Sequence, residues 1–450
     1  MARPYRKSLT SLAELAEIPG HLGRWLYRTG PTVQLAFGGL TSFSICLGAF
    51  ALREPFMVTP LAGTVSLLGA PPVDLREACI AAQALGLALS QPVGAVAVVE
   101  LDPTRRVPAL ALVLGVAELS LVALALVPAH LAPVCLFLDG LALGLVWGLV
   151  YSFLEGRRVS DGLGAVAAAG YLLAGGAMRS LGHAVASLGV PGLWTPAAAG
   201  AAAALPLAGA LWLLAQFPPP NRHDEAERLF RAPMTGAMRA QFLRSSALGL
   251  GLLVAAHALL SGYRELRARI TLELWGVLAP PDAPSVLTAA ELPVAVVTVV
   301  AMGGLMALRD HRRALAAVHG LILLGLSIIG GSTLLYLGGA LAPTPWMVSV
   351  GAGLFLVHVP FMSVLFDRLV AALGLVGTAV FMVFVAGTFG HAGRLVVLAV
   401  EIVHGPLVGS LDGLARASLG VSAVAAGLVV ASAAYFRVHR RDAMRVTGGI

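Results

Sequence analysis

Two arginine-glutamate pairs sit where a lipid-embedded chain has no cheap place for charge. Arg53-Glu54 lies in Phe50-Ala-Leu-Arg53-Glu54-Pro-Phe56, and Arg264-Glu265 in Ser261-Gly-Tyr263-Arg264-Glu265, each late in a long apolar run. A charged side chain near the bilayer centre costs from ~2.5 to more than 10 kcal/mol, so such residues face a bundle interior or a watery cavity. The planar guanidinium grips phosphate or carboxylate through two parallel hydrogen bonds, so a pair of intramembrane arginines points to an anion. Arg179 and His391 fall at a similar depth in later runs and add cationic or titratable groups. His257 and His358 are candidates for proton relay because imidazole titrates near neutral pH. Glu118 is a further candidate for coupling, and Trp147 and Tyr151 for walls of a cavity.

Each residue also has a structural reading. Arg53 and Arg264 are equally able to form ion pairs with Glu54, Glu265 or a neighbouring helix, including pairs across the two halves. Adjacent helical residues point about 100° apart, so an arginine need not bind the glutamate beside it. Arg179 can snorkel at a helix end. The histidines can be hydrogen-bonded packing, and Trp147 and Tyr151 core.

The elements that position these residues follow from composition. Of 450 residues 58% are hydrophobic and only 12% charged, with mean hydropathy +0.87. Soluble domains carry roughly 25% charge, so the chain is a polytopic membrane protein. Its apolar runs are about 20 residues long and continuous, which suits helices and not the alternation of barrel strands. The net charge of +7 comes from basic residues in tails and loops and does not imply nucleic acid. Cys46, Cys79 and Cys135 all fall in apolar runs and read as small buried hydrophobes. Enzyme, metal and cofactor signatures are missing: the sequence has no phosphate loop ending in Lys-Ser/Thr and no metal-spaced histidine cluster.

Twelve spans are predicted, at 32–60, 76–99, 107–128, 132–154, 162–188, 192–217, 245–270, 287–308, 314–338, 345–366, 373–400 and 417–437. A polar linker at 218–244 divides them into bundles at 32–217 and 245–437, with basic tails at 1–31 and 438–450. The basic loops and tails fall on one side, which puts both termini and the linker in the cytoplasm. A bacterial inner membrane is the expected location.

The halves match beyond the Arg-Glu pairs. Asp102-Pro-Thr-Arg105-Arg106 follows the second span, and Asp310-His-Arg312-Arg313 the eighth. Glu155-Gly-Arg157 ends the fourth span, and Asp367-Arg368 the tenth. Arg179 in the fifth span is matched with His391 in the eleventh. A duplicated six-helix unit is a known transporter plan, with the site at the interface of the halves.

On these residues the chain, over roughly residues 30–437, resembles the major facilitator superfamily. Asp102…Arg105-Arg106 and Asp310…Arg312-Arg313 resemble worn copies of its cytoplasmic loop motif, and Asp102, Arg106, Asp310 and Arg313 are thereby expected to gate or to set topology. Phe50-Ala-Leu-Arg53-Glu-Pro-Phe56 is similar to the first-span motif of organophosphate:phosphate antiporters, with Glu54 in place of their lysine. In those carriers arginines on the first and seventh helices clamp the substrate phosphate, places matched here by Arg53 and Arg264. Trp147-Gly-Leu-Val-Tyr-Ser-Phe-Leu-Glu155-Gly-Arg157-Arg158 and Val359-Pro-Phe-Met-Ser-Val-Leu-Phe-Asp367-Arg368 are similar to a bacterial branch of the superfamily without an assigned substrate. The resemblance implies an all-α fold of two pseudo-symmetric six-helix bundles. It also implies that helices 1, 4, 7 and 10 line the cavity and helices 3, 6, 9 and 12 face lipid.

The expected function is secondary active transport of a small organic anion, phosphorylated anions included, by a monomer in the lipid bilayer. A proton or phosphate is the expected coupling ion. A facilitator-shaped sensor or scaffold for a partner protein is the alternative. The two differ in whether Arg53 and Arg264 reach a watery cavity or lie locked to Glu54 and Glu265.

Overall fold

A backbone in lipid must close its own hydrogen bonds, and the long apolar runs do so as helices. The computed structural model describes residues 20–66, 72–221, 224, 234–278, 296–373 and 378–438. Twelve helices follow in order. Helix α1 is Pro31–Ala49, continued by 3-10 turns to Val58; α2 is Leu75–Ala97; α3 is Arg106–Leu126; and α4 is Ala132–Leu143 plus Val146–Leu154. Helix α5 is Ser160–Ser187, α6 Thr195–Ala215 and α7 Ala247–Leu278, with α8 described as Val296–Ala307. Helix α9 is His311–Leu337, α10 is Pro343–Met362 plus Val364–Leu373, α11 Ala379–His404 and α12 Leu411–Val438. Ten of these are long and apolar enough to cross a membrane by length and composition. The other two are α5, interrupted by Asp161 and Arg179, and the described part of α8. Each predicted span overlaps its helix; residues 287–295 of the eighth lie outside the described residues.

Short helices at Gly20–Arg28, which is amphipathic, and at Gly236–Ser245 precede the two bundles. The loop after α1 holds a two-stranded antiparallel ribbon, with Thr64 opposite Asp74 and Val65 opposite Val73. The first turn of the Gly20–Arg28 helix meets Gln216 at the end of α6, and the Pro218 carbonyl accepts from Arg157 at the end of α4. Phe436 near the end of α12 packs on Gly249 at the start of α7. The start of α1, the linker and the end of α12 therefore share one end of the molecule, called here the linker end.

Burial is highest in α4 and α10 and lowest in α12, while α11 is no more buried than α3 and α6. In the most apolar window of α4 67% of residues are buried, against 33% in α3 and α6 and 22% in α12. The exposed side chains of the outer helices are large and apolar, among them Leu112, Leu119, Leu205, Trp212, Leu334 and Val424. An apolar surface of that extent is stable against lipid and not against water.

The bundles dock at the linker end through Phe384 of α11, which is fully buried. A Cβ on Gly94 of α2 would stand 2.2 Å from this ring, and one on Gly148 of α4 2.1 Å from it. Only glycine leaves room for the ring there. Gly148→Val is therefore expected to hold the bundles apart at this end, and Phe384→Ala in the same chain to relieve it. The check is a cysteine at Ser363, fully buried here. It should be inert to a membrane-impermeant thiol reagent in the parent and in the double variant, and reactive in Gly148→Val.

Candidate functional site

The charged residues of the sequence converge on the interface of the halves. Pro55 has no amide hydrogen to give a helix, and α-helical bonding in α1 stops at Ala49. Two 3-10 turns follow, joined at Arg53 with φ −117° and ψ −56°. This break turns Glu54 into the N-terminal bundle, where Arg179 Nε of α5 donates to its Oε2 at 2.9 Å. In the other half α7 runs unbroken, and Arg394 Nε of α11 donates to Glu265 Oε2 at 2.9 Å. Each glutamate is thus held by the fifth helix of its own half. The pairs do not cross between halves.

The arginines beside them are left over. Arg53 stands 4.0 Å from Glu54, beyond hydrogen-bond range, with its guanidinium 5.4 Å from the Phe50 ring. Arg264 makes no hydrogen bond or ion pair among the described residues and is exposed. The charges of Arg53, Arg264, Arg394, Glu54 and Glu265 lie near enough to act on one another. With two carboxylates against four guanidinium groups, the cluster has two cations in excess, and both belong to arginines with free forks.

Arg394, and not His391, is therefore the counterpart of Arg179. It lies 215 residues on, about one helical turn beyond the register of the Arg-Glu pairs, so spacing alone selects the histidine. His391 sits one turn away, within the fields of Arg394, Arg53 and Arg264. On the C-terminal side of the cluster, the rings of His257 and His358 are 5.5 Å apart, and His257 lies 4.8 Å from Phe361. His358 Nδ1 donates to the Leu354 carbonyl at 2.9 Å, which leaves Nε2 buried without a partner.

Trp147 and Tyr151 are buried where the bundles meet, on the linker side of the cluster, and close the interface there. Helix α10 breaks at Ser363, with φ −138° and ψ −85°, which frees carbonyls of the preceding turn. Trp147 Nε1 donates to the Met362 carbonyl at 3.0 Å, and Tyr151 Oη to that of Ser363 at 2.5 Å. Their rings stack at 6.0 Å, and Tyr171 meets Trp147 edge-on at 5.0 Å.

Closer to the linker end, the duplicated carboxylates bind the starts of helices of the opposite half, Glu155 through backbone amides and Asp367 through a hydroxyl. Glu155, ending α4, accepts from Thr378 Oγ1 at 2.5 Å and from the Ala379 amide at 2.7 Å, at the start of α11. Asp367 of α10 accepts from Ser160 Oγ at 2.9 Å, at the start of α5. A carboxylate suits a helix N-terminus, where amides are unpaired and the dipole is positive. Between these two contacts, Arg368 Nε donates to Asp161 Oδ2 at 3.0 Å, with both side chains almost wholly buried. Arg368 also ties down the Leu305 and Leu308 carbonyls at the end of α8. Sequence duplication marked Glu155, Asp367 and Arg368 as repeated. That they bind across the halves came only with the fold.

The loop-motif residues have local roles. Asp102 accepts from the Thr104 hydroxyl at 2.6 Å and its amide at 2.9 Å, and the hydroxyl first, then the amide, hold its carboxyl below the usual range. Asp310 caps α9, and the amides of Arg312 and Arg313 lower it likewise. Arg106 donates to the Ser152 carbonyl at 2.7 Å, while Arg313 is exposed. None of these links is made across the halves.

At the far end the halves part. A cleft of about 310 Å³ lies between Pro72, Val73 and Glu77 of the N-terminal half and Ile270, Glu401 and Val408 of the C-terminal half. The halves are tied together at the linker end and cleft at the other, and neither Arg53 nor Arg264 lines the cleft.

Two six-helix bundles around such an interface define the major facilitator fold, and solved structures agree over most of the chain. The human organic anion transporter MFSD10 (TETRAN) matches with TM-score 0.51 at 16% identity, over 92% of this chain and 99% of that one. The proton:xylose symporter XylE, bound to 6-bromo-6-deoxy-D-glucose, matches with TM-score 0.50 at 15% identity, over 90% and 94%. A bacterial homologue of the iron transporter ferroportin, in its outward-facing state, matches with TM-score 0.54 at 12% identity, over 89% and 99%. At such identities the likeness shows the fold alone. Within that fold the chain belongs to DUF5690, a family of unknown function whose profile matches residues 57–439. A comparison with curated proteins finds no match.

Proposed function

We propose that the protein is a secondary transporter of a small organic anion, held between Arg53 and Arg264 and moved by alternating access. The observation that carries this reading is the pair of arginines without hydrogen-bonded partners. Glu54 gives Arg53 only a 4.0 Å ion pair without a hydrogen bond, and Glu265 gives Arg264 none, because Arg179 and Arg394 hold those carboxylates. A scaffold has no use for two unsatisfied intramembrane cations, whose desolvation is costly unless a ligand or water compensates. The exposure of Arg264 favours transport over the sensor or scaffold alternative.

The two rocking bodies are residues 32–217 and 245–437, joined by the linker at 218–244. With the linker and both tails on the cytoplasmic side of a bacterial inner membrane, the far cleft opens outward. The contacts of Glu155, Asp161, Asp367 and Arg368 are then the inner gate. Their exchange for a seal near the far end delivers the anion to the cytoplasm. The structurally similar human protein MFSD10 is an organic anion transporter, which agrees with this reading, as does the resemblance to organophosphate carriers.

A thermal-shift series on the purified chain tests it, because a ligand that binds only the folded state raises its stability by mass action. Glycerol 3-phosphate, inorganic phosphate, succinate and a neutral sugar are the probes. At a concentration of about 100 Kd an anion adds ~2.7 kcal/mol, a readily measured rise in melting temperature. A series in which every anion matches the sugar removes the anion assignment.

A further inference from the structure

Asp139 lies in the middle of α4, behind Arg53, and is wholly buried. Its Oδ2 accepts one hydrogen bond, from Gln83 Nε2 of α2 at 2.8 Å, and its Oδ1 is buried without a partner. A carboxylate out of water with one neutral donor is far more costly than the neutral acid. The groups facing it are few. Gln83 comes from α2. Glu118 comes from α3 and Arg53 from α1, both near enough for their charges to act on Asp139. Glu118 offers no compensation: its own Oε2 is buried without a partner, wedged where a Cβ on Gly200 of α6 would be 1.9 Å away. Two buried carboxyl groups within each other's field do not both ionise. The one cation in reach is Arg53.

We propose that Asp139 is an exchangeable proton site whose occupancy is tied to that of the anion site, so that proton and anion bind together and cross together. With the anion site empty, the Arg53 cation favours release of the Asp139 proton. An anion on Arg53 cancels that field and adds its own negative charge, so a proton from water joins the carboxyl. The proton site stands by itself; its coupling to substrate rests on the anion site proposed above. The arrangement belongs to the N-terminal half alone, since Val350 and Gly351 of α10 occupy the positions 211 and 212 residues on.

Infrared difference spectroscopy on the full-length protein tests this without a substrate. Raising the pH in steps should bleach the carbonyl band of a protonated carboxylic acid. The band should be present in Glu118→Gln and missing when Asp139→Asn is added to it. In Gln83→Leu, which keeps the carboxyl and removes its one donor, the band should persist at a shifted frequency. In Arg53→Ala the bleaching should come about one pH unit higher, as expected for a charge several ångströms away in a partly polar interior. Because Glu118 is a second buried carboxyl, the test is made in the Glu118→Gln background: a band that survives Asp139→Asn there, or ignores Gln83→Leu, overturns the proton site. An unchanged midpoint in Arg53→Ala overturns the coupling. Inorganic phosphate is the anion probe, and should raise the midpoint in the parent but not in Arg53→Ala. If phosphate, glycerol 3-phosphate and succinate all leave it unmoved while the variant results hold, the proton site stands and the anion reading falls.

Discussion

Replacing Arg53 or Arg264 by alanine is expected to abolish binding of the stabilising anion while leaving the protein as stable as its parent. Each guanidinium presents a free fork, and a charge-assisted hydrogen bond contributes about 1.5–3 kcal/mol. Loss of a two-bond contact then lowers affinity by about a hundredfold or more, since 1.4 kcal/mol is a factor of ten. Neither side chain holds another residue in place, so unfolding temperatures should stay put or rise as like charges separate. Arg394→Ala should do the opposite. It strips Glu265 of its partner in a site where the two side chains are 16% and 11% exposed, and the buried charge left behind destabilises the fold by up to about 3–5 kcal/mol. Uptake into proteoliposomes, beside thermal unfolding of the same variants, separates the two kinds of arginine. Full transport by Arg53→Ala would remove that residue from the site.

The second large effect is expected at the linker end. Asp161→Asn leaves Arg368 as a buried, uncompensated cation, a loss of about 3–5 kcal/mol. It also cuts an ion pair that crosses the halves. The sealed state should therefore lose stability and population together. A cysteine at Ser363 should become reactive to an impermeant thiol reagent, while Cys46, Cys79 and Cys135, all buried, stay silent. Adding Arg368→Gln removes the orphaned charge, since a neutral pair of similar shape in place of a buried ion pair is often near neutral in stability. Unfolding temperature should then recover. The gate should stay loose, because the tie from Arg368 to the end of α8 is weakened. An unreactive Ser363→Cys in both variants would mean that the pair does not hold the halves closed.

Helix number, the internal duplication and the positions of the intramembrane charges were legible in the chain itself. They are local quantities: a run of apolar residues long enough to span lipid has one satisfactory backbone solution, and a charge inside it is visible by contrast. The Arg-Glu pairs were legible for the same reason, and so was the expectation that outer helices show apolar faces. Which arginine serves which glutamate was not. That choice depends on how α5 packs on α1 and α11 on α7. A shift of about one turn in α11 put Arg394 where spacing alone suggested His391.

Asp139 is not legible as a site in the sequence for a related reason. One acidic residue in an apolar run carries no second signal until the fold sets Gln83, Glu118 and Arg53 around it. From sequence, Trp147 and Tyr151 read either as cavity walls, because helix 4 lines the cavity, or as core. The break at Ser363, with its two freed carbonyls, turned them into ties between the halves. Sequence by itself determined a twelve-helix, twofold-repeated membrane protein with costly charges on its inner helices. The tertiary structure alone decided which of those charges are spent on each other and which remain free, because pairing is set by distances between helices and not by position along the chain.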